Sequence, residues 1–188
     1  IDYPCNSRQS GGILHIGFHD PYRAVEDLVS ILKKITGGEA RSDLIETTAA
    51  NGRRLIEWLK SKDVRFMRFN QKEGYRWCMA PPRAMRAGVD WKDRGPDVML
   101  RILVTQLGRL GGELSLRSRA RTLIMDGGAC VGVEGEVNGR HARWRGTHTI
   151  IADGGFQSSR ELFLKHIGPG FESVFQRGAG TGVGDGLK

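Results

Sequence analysis

Glycine recurs at alternate positions near the end of this 188-residue chain. Residues 178–186 read Gly-Ala-Gly-Thr-Gly-Val-Gly-Asp-Gly. The interior of a helix or strand disfavours this pattern, because each glycine costs ordering entropy and contributes no side-chain packing. Backbone that must closely approach a ligand favours it, because no Cβ is in the way. The segment is therefore either a ligand-binding loop or a flexible one.

A second glycine cluster follows an apolar run. Residues 147–152 predict a buried strand, which leads into Asp153-Gly154-Gly155-Phe156. Near the start, residues 6–12 read Asn-Ser-Arg-Gln-Ser-Gly-Gly, whose hydroxyls and backbone N–H groups suit a phosphate or the edge of a planar ring. Each cluster taken alone is also compatible with an ordinary turn.

Composition narrows the class of protein. A hydrophobic content of 39% with 27% charged residues is typical of a globular domain, so a single domain is expected. The apolar runs are too short for a membrane span and no signal peptide is visible, which predicts a cytoplasmic protein. Three widely spaced cysteines argue against a disulfide framework or a zinc site. The chain begins at Ile1 rather than Met, as expected for a piece of something longer.

The net charge of +8 leaves a second class of function open. The 29 Lys and Arg residues are spread along the whole chain, although Arg117, Arg119 and Arg121 alternate as on one face of a strand. Residues 64–95 interleave aromatic residues with arginines, which could stack bases. Their lack of periodicity instead favours a long irregular loop. The alternative function is a basic module that binds nucleic acid or protein.

Three helices are predicted in the first part of the chain, residues 1–112. The first begins at Asp20 as N-cap and ends at Gly37, and the second begins near Ser42. The third begins at Gly95-Pro96 and ends at Gly111-Gly112. Each has an apolar stripe that predicts a core face, formed in the second by Ile45, Ala49, Gly52, Ile56 and Leu59 and in the third by Met99, Leu103, Leu107 and Leu110.

Residues 113–188 change to a period of two, which predicts strands. Short strands are expected at 114–116, 122–125, 131–137 and 142–144, and Asn138-Gly139 is a strong hairpin signal. The buried strand 147–152 and a helix capped by Ser158 follow. The elements together predict an α/β fold with an antiparallel β-meander insertion.

The order of these motifs resembles the FAD-binding domain of the fumarate reductase/succinate dehydrogenase flavoprotein family. Ala152-Asp153-Gly154-Gly155-Phe156-Gln157 and Gly184-Asp185-Gly186-Leu187 resemble its 3-ketosteroid and tricarballylate dehydrogenase-like branch. The resemblance covers essentially the whole chain. It implies a partial Rossmann-like fold, FAD as cofactor, and hydride transfer to or from a small-molecule carboxylate or ketone. It does not imply a nucleic-acid partner.

The resemblance also implies which residues contact FAD. Phosphate and ribityl contacts fall on Asn6, Ser7 and Ser10, and contacts with the isoalloxazine ring fall on Gly11 and Gly12. Contacts with the adenosine half and further cofactor contacts fall on Ala120, Gly154, Gly155, Asp185 and Gly186. Where relatives commonly have Thr, this chain has Asp153, which is expected to point away from the pyrophosphate or to cap the following helix.

Two parts of the family pattern do not occur in this sequence. The G-x-G-x-x-G fingerprint, which the family carries upstream, is absent, and so is the downstream proton donor. No catalytic residue is therefore assigned, and the isolated chain is expected to be inactive. A sheet lacking its first strand would expose an edge, so self-association through that edge is also expected.

Overall fold

The computed structural model describes residues 5–13, 20–71, 74–81, 91–176 and 178–187. The chain divides into two compact units, Ile1–Gln106 and Leu107–Lys188. That the whole chain is one domain, with a change of character at residue 112, stays a prediction.

The first unit begins with the single helical turn α1 (Asn6–Gln9), followed by α2 (Val25–Ile35) and α3 (Ser42–Ser61). The stripe predicted for α3 is confirmed, because Ile45, Ala49, Gly52, Ile56 and Leu59 are all buried. The predicted start of the first helix at Asp20 was wrong. Asp20 instead closes a turn in which its Oδ1 accepts the Tyr22 N–H at 3.1 Å, and the helix begins at Val25.

Helix α4 (Gly95–Arg109) begins where the sequence predicts. Its predicted apolar stripe is not a full core face, because Leu107 is 39% exposed and Leu110, just past the end, is 80% exposed. The buried residues of α4 are instead Gly95, Pro96 and Asp97, so the helix packs through its first turn.

An antiparallel hairpin corrects the prediction of an irregular loop over residues 64–95. Its strands are β1 (Phe66–Gln71) and β2 (Gly74–Met79). Trp77 is buried and packs against Tyr22 and Phe66, with ring centroids 5.5 and 6.2 Å apart. The sequence pattern did not reveal the hairpin because Phe66 and Trp77 pack in a tertiary cluster with Tyr22, which leaves no regular alternation in the sequence. Residues 82–90 of the predicted loop lie outside the described residues.

The second unit holds a three-stranded antiparallel sheet in the order β3-β4-β5, formed by Ser118–Asp126, Ala129–Val137 and Arg140–Arg145. The predicted hairpin at Asn138-Gly139 is confirmed, and both residues have the positive φ (51° and 77°) that such a turn requires. The strand predicted at 114–116 was wrong, because those residues form no strand.

The predicted buried strand at 147–152 was also wrong. These residues belong to no strand among those the structure describes, and the side chains of Ile150 and Ile151 are 88% and 57% exposed. A strand needs a neighbour for its N–H and C=O groups, and apolar composition does not supply one. Helix α5 (Arg160–His166) follows, capped by Ser159 rather than Ser158, since the Ser159 Oγ accepts the Leu162 N–H.

A buried charge network fixes the start of α4. The Asp97 carboxylate is fully buried and lies 2.9 Å from Arg8 Nε, which is itself 3% exposed. It also accepts hydrogen bonds from Arg101 Nε at 3.0 Å and from the Asp93 N–H at 3.1 Å. The Arg8 guanidinium stacks 5.1 Å from the Trp91 ring centroid. Burial alone would raise the pKa of Asp97, but these hydrogen bonds and the two positive charges lower it below its ordinary value.

We predict that Asp97→Asn destabilises the protein by about 3 kcal/mol at neutral pH, because it removes the buried negative charge that pairs with Arg8 and Arg101. The lowered pKa means that the folded state favours the ionised carboxylate. This stabilisation is present above the unfolded pKa of about 3.9 and is lost as the pH falls through the lower folded value. Urea unfolding from pH 7 to pH 3 measures the free energy of unfolding of the variant and of wild type. The difference between these two free energies should narrow only at the acidic end.

The exposed pair Arg41–Asp43 provides the control. Asp43→Asn is expected to leave the urea midpoint at neutral pH nearly unchanged, since water screens this ion pair. Equal effects of the two substitutions would contradict the role given to Asp97.

Candidate functional site

The segment 6–12 is an ordered turn with two buried residues, Arg8 and Gly12. Asn6, Ser7, Ser10 and Gly11 are exposed, whereas Gly12 is buried. The Ser10 hydroxyl donates to the Ser7 carbonyl at 2.8 Å and accepts the Gly12 N–H at 3.3 Å, so it shapes the turn. Gly12 has φ +78°, and a Cβ there would lie 3.1 Å from the Pro96 side chain.

Strand β2 holds this segment in place. The Met79 N–H donates to the Gly12 carbonyl at 2.9 Å, and Ile13 forms a β-bridge with Cys78. The Cys78 thiol donates to the Gly11 carbonyl at 3.3 Å, and burial raises the pKa of this thiol. The thiol is therefore neutral at physiological pH and has a structural role here.

In the second unit, several glycines serve close packing between two chain segments. The Ser158 N–H donates to the Gly182 carbonyl at 2.8 Å, which joins segment 154–158 to segment 180–186. A Cβ on Gly184 would lie 2.5 Å from Leu162 Cδ1 and 2.7 Å from Phe156 Cβ. Glycine is required at this position because the two segments approach each other too closely for a side chain.

Asp153 fixes the end of the glycine-rich segment. Its Oδ2 accepts the Gly186 N–H at 2.7 Å, at the 3-10 turn Asp185–Leu187. A Cβ on Gly186 would lie 2.7 Å from Ile151 Cγ2. The expectation that Asp153 caps the following helix was wrong, because Ser159 does so. The carboxylate has a local partner instead.

Gly154 differs from the packed glycines. It has φ +92°, and no atom lies within 4 Å of a Cβ built there. Its backbone is therefore open to approach, whereas a Cβ built on the neighbouring Gly155 would lie 2.8 Å from Gln157 Oε1. Gln157 ends the motif of residues 152–157, but no sequence pattern indicated a role for its side chain.

A pocket of about 450 Å³ lies beside these segments, a volume in the range typical of ligand pockets. One wall is a face of the sheet, where the antiparallel register places Ala120, Leu123 and Val133 on the same side. Residues of the extended segment 149–153 and the pair Asp185 and Gly186 also line the pocket. The complete lining is Ala120, Arg121, Thr122, Leu123, Val133, Thr149, Ile150, Ile151, Ala152, Asp153, Asp185 and Gly186.

The structure thus brings three of the predicted site residues, Ala120, Asp185 and Gly186, around one pocket. Gly154 and Gly155 follow the lining residue Asp153 directly in the chain. The predicted residues between Asn6 and Gly12 belong to the other unit. Across the described ranges, no three His, Cys, Asp or Glu side chains gather as a metal site would require. No helix within those ranges is long and apolar enough to span a membrane.

Comparisons with known proteins show the family and the fold of this chain. A protein-family model described as FAD binding domain matches residues 5–188. The fold is similar to a 3-ketosteroid-Δ4-(5α)-dehydrogenase from Rhodococcus jostii RHA1, solved in complex with 4-androstene-3,17-dione, with a TM-score of 0.71 and 16% identity over 86% of this chain and 41% of that one. It is also similar to the open conformation of a flavocytochrome c3 fumarate reductase, with a TM-score of 0.76 and 16% identity over 97% of this chain and 33% of that one.

The chain therefore spans less than half the length of either enzyme. A comparison with curated protein sequences found no match.

We predict that Asp153→Ala loosens the 3-10 turn at Asp185–Leu187, because the Gly186 N–H loses its acceptor. The expected cost is about 1 kcal/mol. Amide hydrogen exchange at Gly186 should accelerate several-fold, while the amides of β4 stay protected. Asp153→Asn retains an acceptor oxygen and should restore most of the protection. Unchanged Gly186 exchange in Asp153→Ala relative to wild type would show that the hydrogen bond contributes nothing.

Proposed function

We propose that this chain, which belongs to the FAD-binding domain family, binds FAD as part of a larger oxidoreductase. When bound, FAD supplies hydride transfer between flavin N5 and a carbon activated by a neighbouring carboxylate or ketone. The residues of this chain contribute binding and orientation, and no catalytic residue is assigned among them. The substrate proposed for the whole protein is a small carboxylate or ketone.

The pocket in the second unit supports this proposal most directly. Its walls are apolar where Leu123, Val133 and Ile151 line it, which suits the faces of a planar base. The exposed Asp185 carboxylate lines the pocket and is an acceptor suited to hydroxyl groups. We assign this pocket to the adenosine half of FAD, with the backbone of Ala120 beside the base.

The backbone around Gly154 suits the close approach of a cofactor. The Gly186 N–H fixes the position of the neighbouring Asp153 carboxylate, and a pyrophosphate would have to lie away from it. The open, positive-φ backbone of Gly154 allows a ligand to come within contact distance. We assign Gly154, Gly155 and Gly186 to this approach.

In the first unit, the exposed turn 6–12 offers the side chains of Asn6 and Ser7 toward solvent. We assign these two, together with Ser10, to the phosphates and the ribityl chain. Gly11 and Gly12 would present their backbone to the isoalloxazine ring. Because the Ser10 hydroxyl already has two partners within the turn, its contribution is mainly to hold the turn's shape.

Two aromatic residues of segment 64–95 do not favour the rival function as a nucleic-acid module. Trp77 and Trp91 are each only 7% exposed, so neither offers a face on which a base could stack. We propose no nucleic-acid partner. We also propose a cytoplasmic location for the whole protein. In the order β3-β4-β5, strands β3 and β5 are the edges at which a second copy could pair.

We predict saturable binding of both FAD and ADP to the purified chain, measured by isothermal titration calorimetry at physiological salt. ADP carries the adenosine half without the flavin, so it tests the pocket directly. Ala120→Trp fills the pocket and should lower the affinity for both ligands by at least about tenfold. Ala129→Trp is the matched control, because Ala129 is exposed at the start of β4 and does not line the pocket.

A chain that binds neither ligand would overturn the proposal. Equal losses in the Ala120 and Ala129 variants would show that the pocket is not the binding site. Riboflavin is the complementary ligand, since it lacks the adenosine half. Its binding should not be affected by Ala120→Trp.

A further inference from the structure

The side-chain amide of Gln157 lies between the two glycine segments of the second unit. A Cβ built on Gly182 would lie 2.6 Å from Gln157 Nε2 and 2.8 Å from its Oε1. A Cβ built on Gly155 would lie 2.8 Å from the same Oε1. The amide therefore fills the space that both glycines leave by having no side chain.

This contact is of a different kind from that of Gly184. At Gly184 the neighbours are the Cβ of Phe156 and a branched side chain of the α5 core, which cannot move far. At Gly182 the neighbour is the far end of one flexible side chain. Removing or displacing that side chain changes the spacing of the segments without disturbing the core below.

One backbone hydrogen bond lies next to the contact. The Ser158 N–H, directly after Gln157, donates to the Gly182 carbonyl at 2.8 Å. The amide and this bond connect the same two segments at the same point. The open backbone of Gly154 lies only three residues before Gln157 in the chain.

We infer that Gln157 is a positioning residue, whose amide acts as a spacer between segments 154–158 and 180–186. It sets their separation and thereby holds the backbone of Gly154 open beside the pocket. The inference that Gln157 is a spacer rests on contacts in the structure alone. The expected effect of Gln157 on FAD binding rests on the proposed function.

A double-mutant cycle on the apo protein tests the spacer. Gln157→Ala empties the space, and Gly182→Ala pushes the amide out of it. Each should accelerate hydrogen exchange at the Ser158 amide by about tenfold, with the β4 amides unchanged. The double variant should be no worse than either single variant, because the new methyl group enters an empty space.

Two further variants serve as controls. Gln157→Met refills the space with a side chain of similar length and should restore protection at Ser158. Gln106→Ala removes a glutamine of similar burial from α4 and should leave the Ser158 amide unaffected. Unchanged exchange in Gln157→Ala, or additive effects in the double variant, would overturn the spacer.

FAD titration then separates the spacer from the proposed function. We expect Gln157→Ala to weaken FAD binding about tenfold with little change in the melting temperature, because only the spacing of the segments changes. If the wild-type chain binds no FAD but the exchange results hold, the proposed function is wrong and the spacer stands. If Gln157→Ala binds FAD as tightly as wild type, the assigned link between Gln157 and the cofactor is wrong.

Discussion

Backbone segments that approach too closely for a Cβ are the constraint shared by both units. In the first unit, a Cβ on Gly95 would lie 2.2 Å from the Met79 carbonyl oxygen, and Gly12 lies against Pro96. In the second, Gly184 and Gly186 lie against Phe156 and Ile151. Substitution at Gly95 would displace backbone, because the Met79 carbonyl oxygen has no rotamer by which to move aside, whereas at Gly12, Gly184 and Gly186 a Cβ would crowd packed side-chain atoms. The predicted cofactor segments are held by these contacts.

Two carboxylates, Asp97 and Asp153, also hold chain segments together. The Asp97 carboxylate joins Arg8, from the turn that precedes Gly12, to the first turn of α4. On the smaller scale of one hydrogen bond, Asp153 ties the extended segment 149–153 to the turn at Gly186. In both places a carboxylate fixes the position of a turn, through ion pairs at Asp97 and through one backbone hydrogen bond at Asp153.

Local pattern predicted the elements whose stabilising partners are close in sequence. The α3 stripe and the Asn138-Gly139 turn were correct because helical periodicity and turn chemistry act over a few residues. The hairpin at 66–79 was missed because Phe66 and Trp77 pack with Tyr22, a residue distant in sequence, and so show no local alternation. The strand at 147–152 was wrongly predicted because an apolar composition does not provide a pairing partner.

The sequence by itself determined that glycine clusters flank an apolar segment and that their order resembles an FAD-binding domain, a family that the match over residues 5–188 supports. Only the tertiary structure decided which glycines are open and which are packed. The space that a Cβ would occupy is open at Gly154, whereas at Gly182 the Gln157 side chain fills it. A glycine in a sequence records only the absence of a side chain. Whether a ligand, a neighbouring segment or solvent occupies that space depends on contacts between residues far apart in the chain.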